Sequence, residues 1–93
     1  MRIIFSKRFK ACLRGSSDAE LERVERTCRL AESAFGHPHK HAGVGLRRLA
    51  RHVFECRSGL DRRLVFRRER DALIFDFAGN HDEIQAYLRN RDD

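Results

Sequence analysis

Residues 53 to 78 alternate apolar and polar side chains in three runs, and this period of two constrains the fold more than any other feature. Val53–Arg57, Arg62–Arg68 and Ala72–Ala78 read as strands, joined by turns at Ser58-Gly59 and Glu69-Arg70-Asp71. Side chains alternate across a strand, so the register decides which residues share a face. A first turn centred on Leu60 sets Arg57 opposite Arg63 and Glu55 opposite Val65. A second turn centred between Glu69 and Arg70 sets Arg67 opposite Ala72, Val65 opposite Ile74 and Arg63 opposite Asp76. One side then carries Glu55, Arg57, Arg63, Val65 and Arg67. The other carries Phe54, Cys56, Leu64, Phe66, Leu73, Phe75 and Phe77, and is the expected core face.

The flanking segments supply the cover. Met1 to Phe5 reads as a short strand through Ile3, Ile4 and Phe5. Ser6 to Arg14 fits a short helix with Phe9, Cys12 and Leu13 on one side, stopped at Gly15-Ser16-Ser17. Ser17-Asp18-Ala19-Glu20 is a capping box, and Leu21, Val24, Cys28, Ala31 and Phe35 recur at helical spacing as far as Gly36. His37 to Gly45 reads as a loop, followed by the basic stretch from Leu46 to Arg51. Asn80 to Asn90 closes the chain as a helix with Ile84, Tyr87 and Leu88 inward. The expected fold is α+β, in the order β-α-α-β-β-β-α. An N-terminal strand and a three-stranded meander form an antiparallel sheet, with two N-terminal helices on one face and a short C-terminal helix. At 93 residues the chain is expected to make one domain, 1–93.

Charge is the first clue to function. Twenty Lys+Arg against fourteen Asp+Glu give a net charge of +6, and only Lys7, Lys10 and Lys40 are lysines. Arginine grips phosphate with a planar fork, where lysine is a hydrated point charge. Arginine richness alone can reflect genome composition, so placement carries more weight than number. Arg57 beside Arg63 is a like-charge pair that favours an anion between them, and Arg47, Arg48 and Arg51 add positive charge nearby. The competing arrangement pairs Arg57 with Glu55 and Arg63 with Asp76, leaving a solvated face. Cys12, Cys28 and Cys56 form no CxxC spacing and argue for a reducing compartment. With no signal peptide or long apolar run, a cytoplasmic location is expected.

Asn80 is a fitting N-cap with Glu83 three residues on, which sets His81 at the first helical position. The helix N-terminus and nearby arginines favour uncharged imidazole there, the form a general base needs to take a proton from a ribose 2′-hydroxyl. Arg57 and Arg63 can stabilise charge on the phosphate as it develops, and Glu55, Lys40 or Tyr87 can protonate the leaving oxygen. A histidine at a helix start also serves as a plain capping or surface residue. The run His37-Pro38-His39-Lys40-His41 lacks a carboxylate or cysteine at useful spacing, so no metal site and no cofactor is expected.

These segments together resemble the RelE/ParE superfamily, the toxin halves of bacterial toxin–antitoxin pairs. Gly45-Leu46-Arg47-Arg48-Leu49 looks like that family's lead-in to the sheet, and Phe54-Glu55-Cys56-Arg57 like its aromatic-Glu-x-Arg strand. Arg62-Arg63-Leu64-Val65-Phe66 resembles its next strand, with Arg62 where an aromatic is common. Gly79-Asn80-His81-Asp82-Glu83 resembles the Gly-x-His strand exit of its ribosome-dependent endonucleases. The resemblance implies a toxin that cleaves mRNA in the ribosomal A site without metal. It implies Glu55, Arg57, Arg63 and His81 as site residues, with Tyr87 and Lys40 as looser matches; charge placement adds Arg47, Arg48, Arg51 and Arg67 to Lys40 as RNA-binding. The chain departs from the family in its acidic Asp92-Asp93 end and its few lysines. Those departures keep two alternatives open: a non-enzymatic inhibitor of DNA gyrase, and a non-catalytic RNA-binding module. On any toxin reading the expected partner is an antitoxin whose acidic, partly disordered segment folds on this basic surface.

Overall fold

The computed structural model describes residues 1–37 and 40–91. Its elements are β1 (Arg2–Phe5), α1 (Lys7–Cys12), α2 (Asp18–Ala34), α3 (His41–Val44), β2 (Arg47–Ala50), β3 (Val53–Ser58), β4 (Arg62–Glu69), β5 (Ala72–Gly79) and α4 (His81–Arg89). The expected strands and helices all form, so the α+β class holds. The sheet has five strands in the order β1-β5-β4-β3-β2. The fifth is the basic stretch, where Arg47 pairs with Glu55 and Arg48 with Phe54. Its alternation is hidden because an edge strand can carry charge on both faces. β1 joins β5 in parallel, Ile3 beside Leu73 and Phe5 beside Phe75, so the sheet is mixed rather than wholly antiparallel.

Each longer helix starts where its cap lies. Ser6 Oγ accepts from the Phe9 N–H at 3.0 Å. Ser17 and Glu20 close a reciprocal box at 3.1 Å in each direction. Asn80 and Glu83 do the same at 2.9 and 2.8 Å. Gly36, at φ 84°, ends α2 in the left-handed conformation that suits glycine.

The sheet buries both faces. α1 and α2 cover one, where Phe9, Cys28, Ala31, Cys56, Leu64, Phe66, Leu73 and Phe75 make the main core. Phe66 and Phe75 lie 4.9 Å apart between centroids. Burial pushes the Cys28 thiol up to about 12 and the Cys56 thiol further in the same direction, so both pack as small inert hydrophobes. α4 lies on the opposite face, the one with the arginines, where Val53, Val65 and Ile84 form a second cluster with Phe77, Tyr87 and Leu88 beside it.

The β4–β5 register differs from the expected one. The turn closes on Glu69 and Ala72, Arg67 pairs with Ile74, and Phe66 pairs with Phe75. A β-bulge then inserts Asp76, so Val65 meets Phe77, Leu64 meets Ala78 and Arg63 meets Gly79. An extra residue flips everything after it to the other face. Phe77 therefore leaves the main core for the α4 side, and the expected pairings of Arg67 with Ala72, Val65 with Ile74 and Arg63 with Asp76 do not form.

Candidate functional site

β3 and β4 hold the register expected of the first hairpin: Arg57 lies opposite Arg63 and Glu55 opposite Val65. Arg63 in turn lies opposite Gly79, so Arg57, Arg63 and the end of β5 form one row across the sheet. His81 follows two residues later as the first residue of α4 and is exposed. The row thus brings two guanidinium groups and an imidazole to one end of the sheet.

The neighbouring row runs from Arg47 through Glu55 and Val65 to Phe77. Glu55 is only 2% exposed. Its Oε1 accepts from Arg47 Nε at 2.8 Å and Arg63 Nη1 at 3.0 Å. A buried carboxylate is stable only when paired in this way. Glu55 therefore anchors Arg63, whose side chain stays 32% exposed.

Arg57 is placed differently. It is exposed and makes no hydrogen bond or ion pair among the described residues. Its stem lies across the backbone of Gly45, which sits at φ 61°. A Cβ there would come 3.1 Å from Arg57 Cγ and overlap Nε. Glycine thus leaves room for the arginine and fits the left-handed turn that ends α3.

Tyr87, on α4, donates its hydroxyl to Asp76 Oδ2 at 2.6 Å. Its ring stacks on Phe77 at 4.8 Å, with Arg8 on the ring at 5.5 Å. Burial, then the bond to Asp76, pushes the Tyr87 hydroxyl up to about 12. Burial would by itself raise the Asp76 carboxyl. Hydrogen bonding from Tyr87 and Ser6, with the charges of Arg8 and Arg67, outweighs it and holds that carboxyl below its ordinary value. Alternation from Phe75 already sets Asp76 on the α4 face; the bulge brings Phe77 to that face as well, which plain alternation does not announce.

Of the residues singled out in the sequence, Glu55, Arg57, Arg63 and Arg47 lie on these two rows, and His81 begins α4 two residues past Gly79. Lys40 precedes α3, its backbone N–H donating to the His37 carbonyl at 2.9 Å. Arg48, opposite Phe54, belongs to the α2 face. Arg51 lies in the β2–β3 turn, and Arg67 pairs with Glu69 near the far end of β4. Among the described residues no group of three or more His, Cys, Asp and Glu could hold a metal ion. His39, of the histidine run, and the Asp92-Asp93 end lie outside the described residues. No helix of the described residues is long and apolar enough to cross a membrane.

No family model matches the chain, and no curated protein matches it. Solved structures do. A chain of the RelB–RelE antitoxin–toxin complex from Methanococcus jannaschii matches with a TM-score of 0.64 and 15% identity, over 91% of this chain and 98% of that one. A copper-bound mutant toxin from Helicobacter pylori matches with a TM-score of 0.62 and 24% identity, over 90% and 98%. A conserved hypothetical protein from the same organism matches with a TM-score of 0.52 and 21% identity over the same shares. The chain shares the fold of these solved structures.

Proposed function

We propose that the chain is the toxin of a toxin–antitoxin pair and acts as a ribosome-dependent mRNA endoribonuclease. The observation that carries this reading is the row Arg57–Arg63–Gly79 with His81 beside it. A phosphodiester seated between the two guanidinium groups meets one arginine held by Glu55 and one without a counter-ion among the described residues. His81, as general base, takes the 2′-hydroxyl proton. The 2′-oxygen attacks the adjacent phosphorus, the bond to the 5′-oxygen breaks, and the leaving oxygen takes a proton from water. The reading assigns no step to a metal or cofactor. Its partners are mRNA in the ribosomal A site and an antitoxin with an acidic segment, and its place is the cytoplasm.

Two groups that could protonate the leaving oxygen are engaged elsewhere: Glu55 with two arginines, Tyr87 with Asp76. That observation favours a second reading, a non-enzymatic toxin of the gyrase-inhibiting branch. Primer extension on mRNA from cells expressing the chain separates the two. Cuts in the A-site codon support the nuclease. Intact mRNA with DNA damage supports the gyrase reading.

A further inference from the structure

We infer that the opposite end of the sheet is a second contact surface, built for the phosphate backbone of RNA. The β2–β3 and β4–β5 turns lie side by side there, tied by the Arg68 N–H donating to the His52 carbonyl at 3.0 Å. They present Arg48, Arg51, His52, Arg68 and Arg70, all exposed. Five residue steps along β3 separate His52 in this turn from Arg57, about 16 Å at roughly 3.3 Å per residue, too far for one phosphate to bridge.

Two observations set this surface apart from an ordinary solvated one. The first is the absence of counter-ions. The nearby carboxylates are used: Glu69 pairs with Arg67, and Asp71 lies 3.5 Å from Arg2. Among the described residues no carboxylate pairs with Arg48, Arg51, Arg68 or Arg70. Arg68 is steadied instead by the Phe35 ring, 5.8 Å from its guanidinium carbon, which leaves its charge unspent. The second is backbone conformation. His52 and Arg70 hold φ of 62° and 52°, the left-handed region that glycine and asparagine occupy far more readily. Histidine enters that region more readily than most side chains, but the β4–β5 turn keeps Arg70 where a better turn former would relieve strain, as expected where the side chain is needed for binding.

Arginine and rigid spacing suit phosphate oxygens, and among the described residues neither turn carries the large exposed hydrophobic that a folding peptide would need. This inference extends the RNA-directed reading to a second surface but does not depend on its chemistry. It is tested on an uncleaved RNA duplex of about 16 base pairs, with a polyglutamate peptide as the protein-like polyanion. Two variants of the full chain serve: His52→Asn with Arg70→Asn, and Arg51→Gln with Arg68→Gln and Arg70→Asn. The first should raise Tm yet weaken duplex binding, which a purely structural role for these turns does not produce. The second should weaken binding about tenfold or more near physiological salt, and flatten the slope of log K against log salt by about two to three. Unchanged affinity and slope in both variants would overturn the inference, as would no duplex binding by the unaltered chain. Loss of polyglutamate binding alone would assign the surface to a protein. If the chain proves not to cut mRNA, the duplex measurement still decides this question.

Discussion

Arg63 donates to Glu55, 3.0 Å away, and not to Asp76. The β4–β5 register is the reason: the shifted turn and the bulge set Gly79 opposite Arg63, while Asp76 accepts from Tyr87. The arginine face is therefore neither a free phosphate cradle nor a fully neutralised surface. One guanidinium is anchored, and its neighbour is unpaired among the described residues.

This asymmetry predicts different outcomes for the two arginines. Arg57→Ala should leave stability within about 0.5 kcal/mol, since an exposed, unpaired side chain is lost. It should lower single-turnover cleavage by about a hundredfold, if the guanidinium meets charge that develops on the phosphate. Arg63→Ala should lower cleavage similarly and also cost about 1–2 kcal/mol, because Glu55 loses one of two partners. Thermal melts beside single-turnover assays check both; equal stability losses would contradict the asymmetry.

Glu55→Gln should destabilise the fold by about 2–3 kcal/mol, by leaving Arg47 and Arg63 without their shared carboxylate. Urea denaturation at neutral pH measures this. A loss below about 0.5 kcal/mol would mean that the buried ion pairs add nothing net.

Tyr87→Phe should reshape the pH dependence of stability at both ends. The Asp76 carboxyl is lowered in the fold, so its contribution is complete above the ordinary value of 3.8 and is lost as pH falls below it. The Tyr87 hydroxyl is raised from 10.0 to about 12, so its contribution is complete below pH 10 and is lost as pH rises from there. The stability difference between wild type and Tyr87→Phe should therefore form a plateau from about pH 4 to 10 and shrink on both sides. A difference independent of pH would refute the Tyr87–Asp76 bond.

Gly45→Ala should cost about 1–2 kcal/mol from its positive φ alone. It should also push Arg57 off its seat, because the new Cβ overlaps Arg57 Nε. In an Arg57→Ala background the stability loss should persist while any further loss of cleavage disappears. A double-mutant cycle reads this directly, and additive effects on cleavage would show that Gly45 does not place Arg57.

Much of the fold was legible because it rests on local signals. The Ser17–Glu20 and Asn80–Glu83 boxes start their helices, and the alternation through Phe54, Cys56, Leu64 and Phe66 marks the core face. The first hairpin register followed from its turn. The second did not, since neither the tighter turn at Arg70-Asp71 nor the bulge at Asp76 carries a glycine to mark it. The strand at Arg47–Ala50 escaped because its charges read as a basic run. At the site, the pairing of Arg57 with Arg63 was visible in the alternation. The burial of Glu55 between two arginines depends on that hidden strand, and the stacking of Tyr87 on Phe77 depends on the bulge. Both needed long-range placement that sequence spacing does not encode.

The central claim is chemical: Arg57, Arg63 and His81 cleave mRNA by attack of a 2′-hydroxyl. Single-turnover reactions on purified ribosomes holding a defined mRNA, with the upstream fragment analysed by mass spectrometry, test it most directly. The account predicts cleavage in the A-site codon that leaves a 2′,3′-cyclic phosphate, slowed at least a hundredfold by His81→Ala with the fold intact. Intact mRNA, or cleavage unaffected by His81→Ala and Arg57→Ala together, would contradict it.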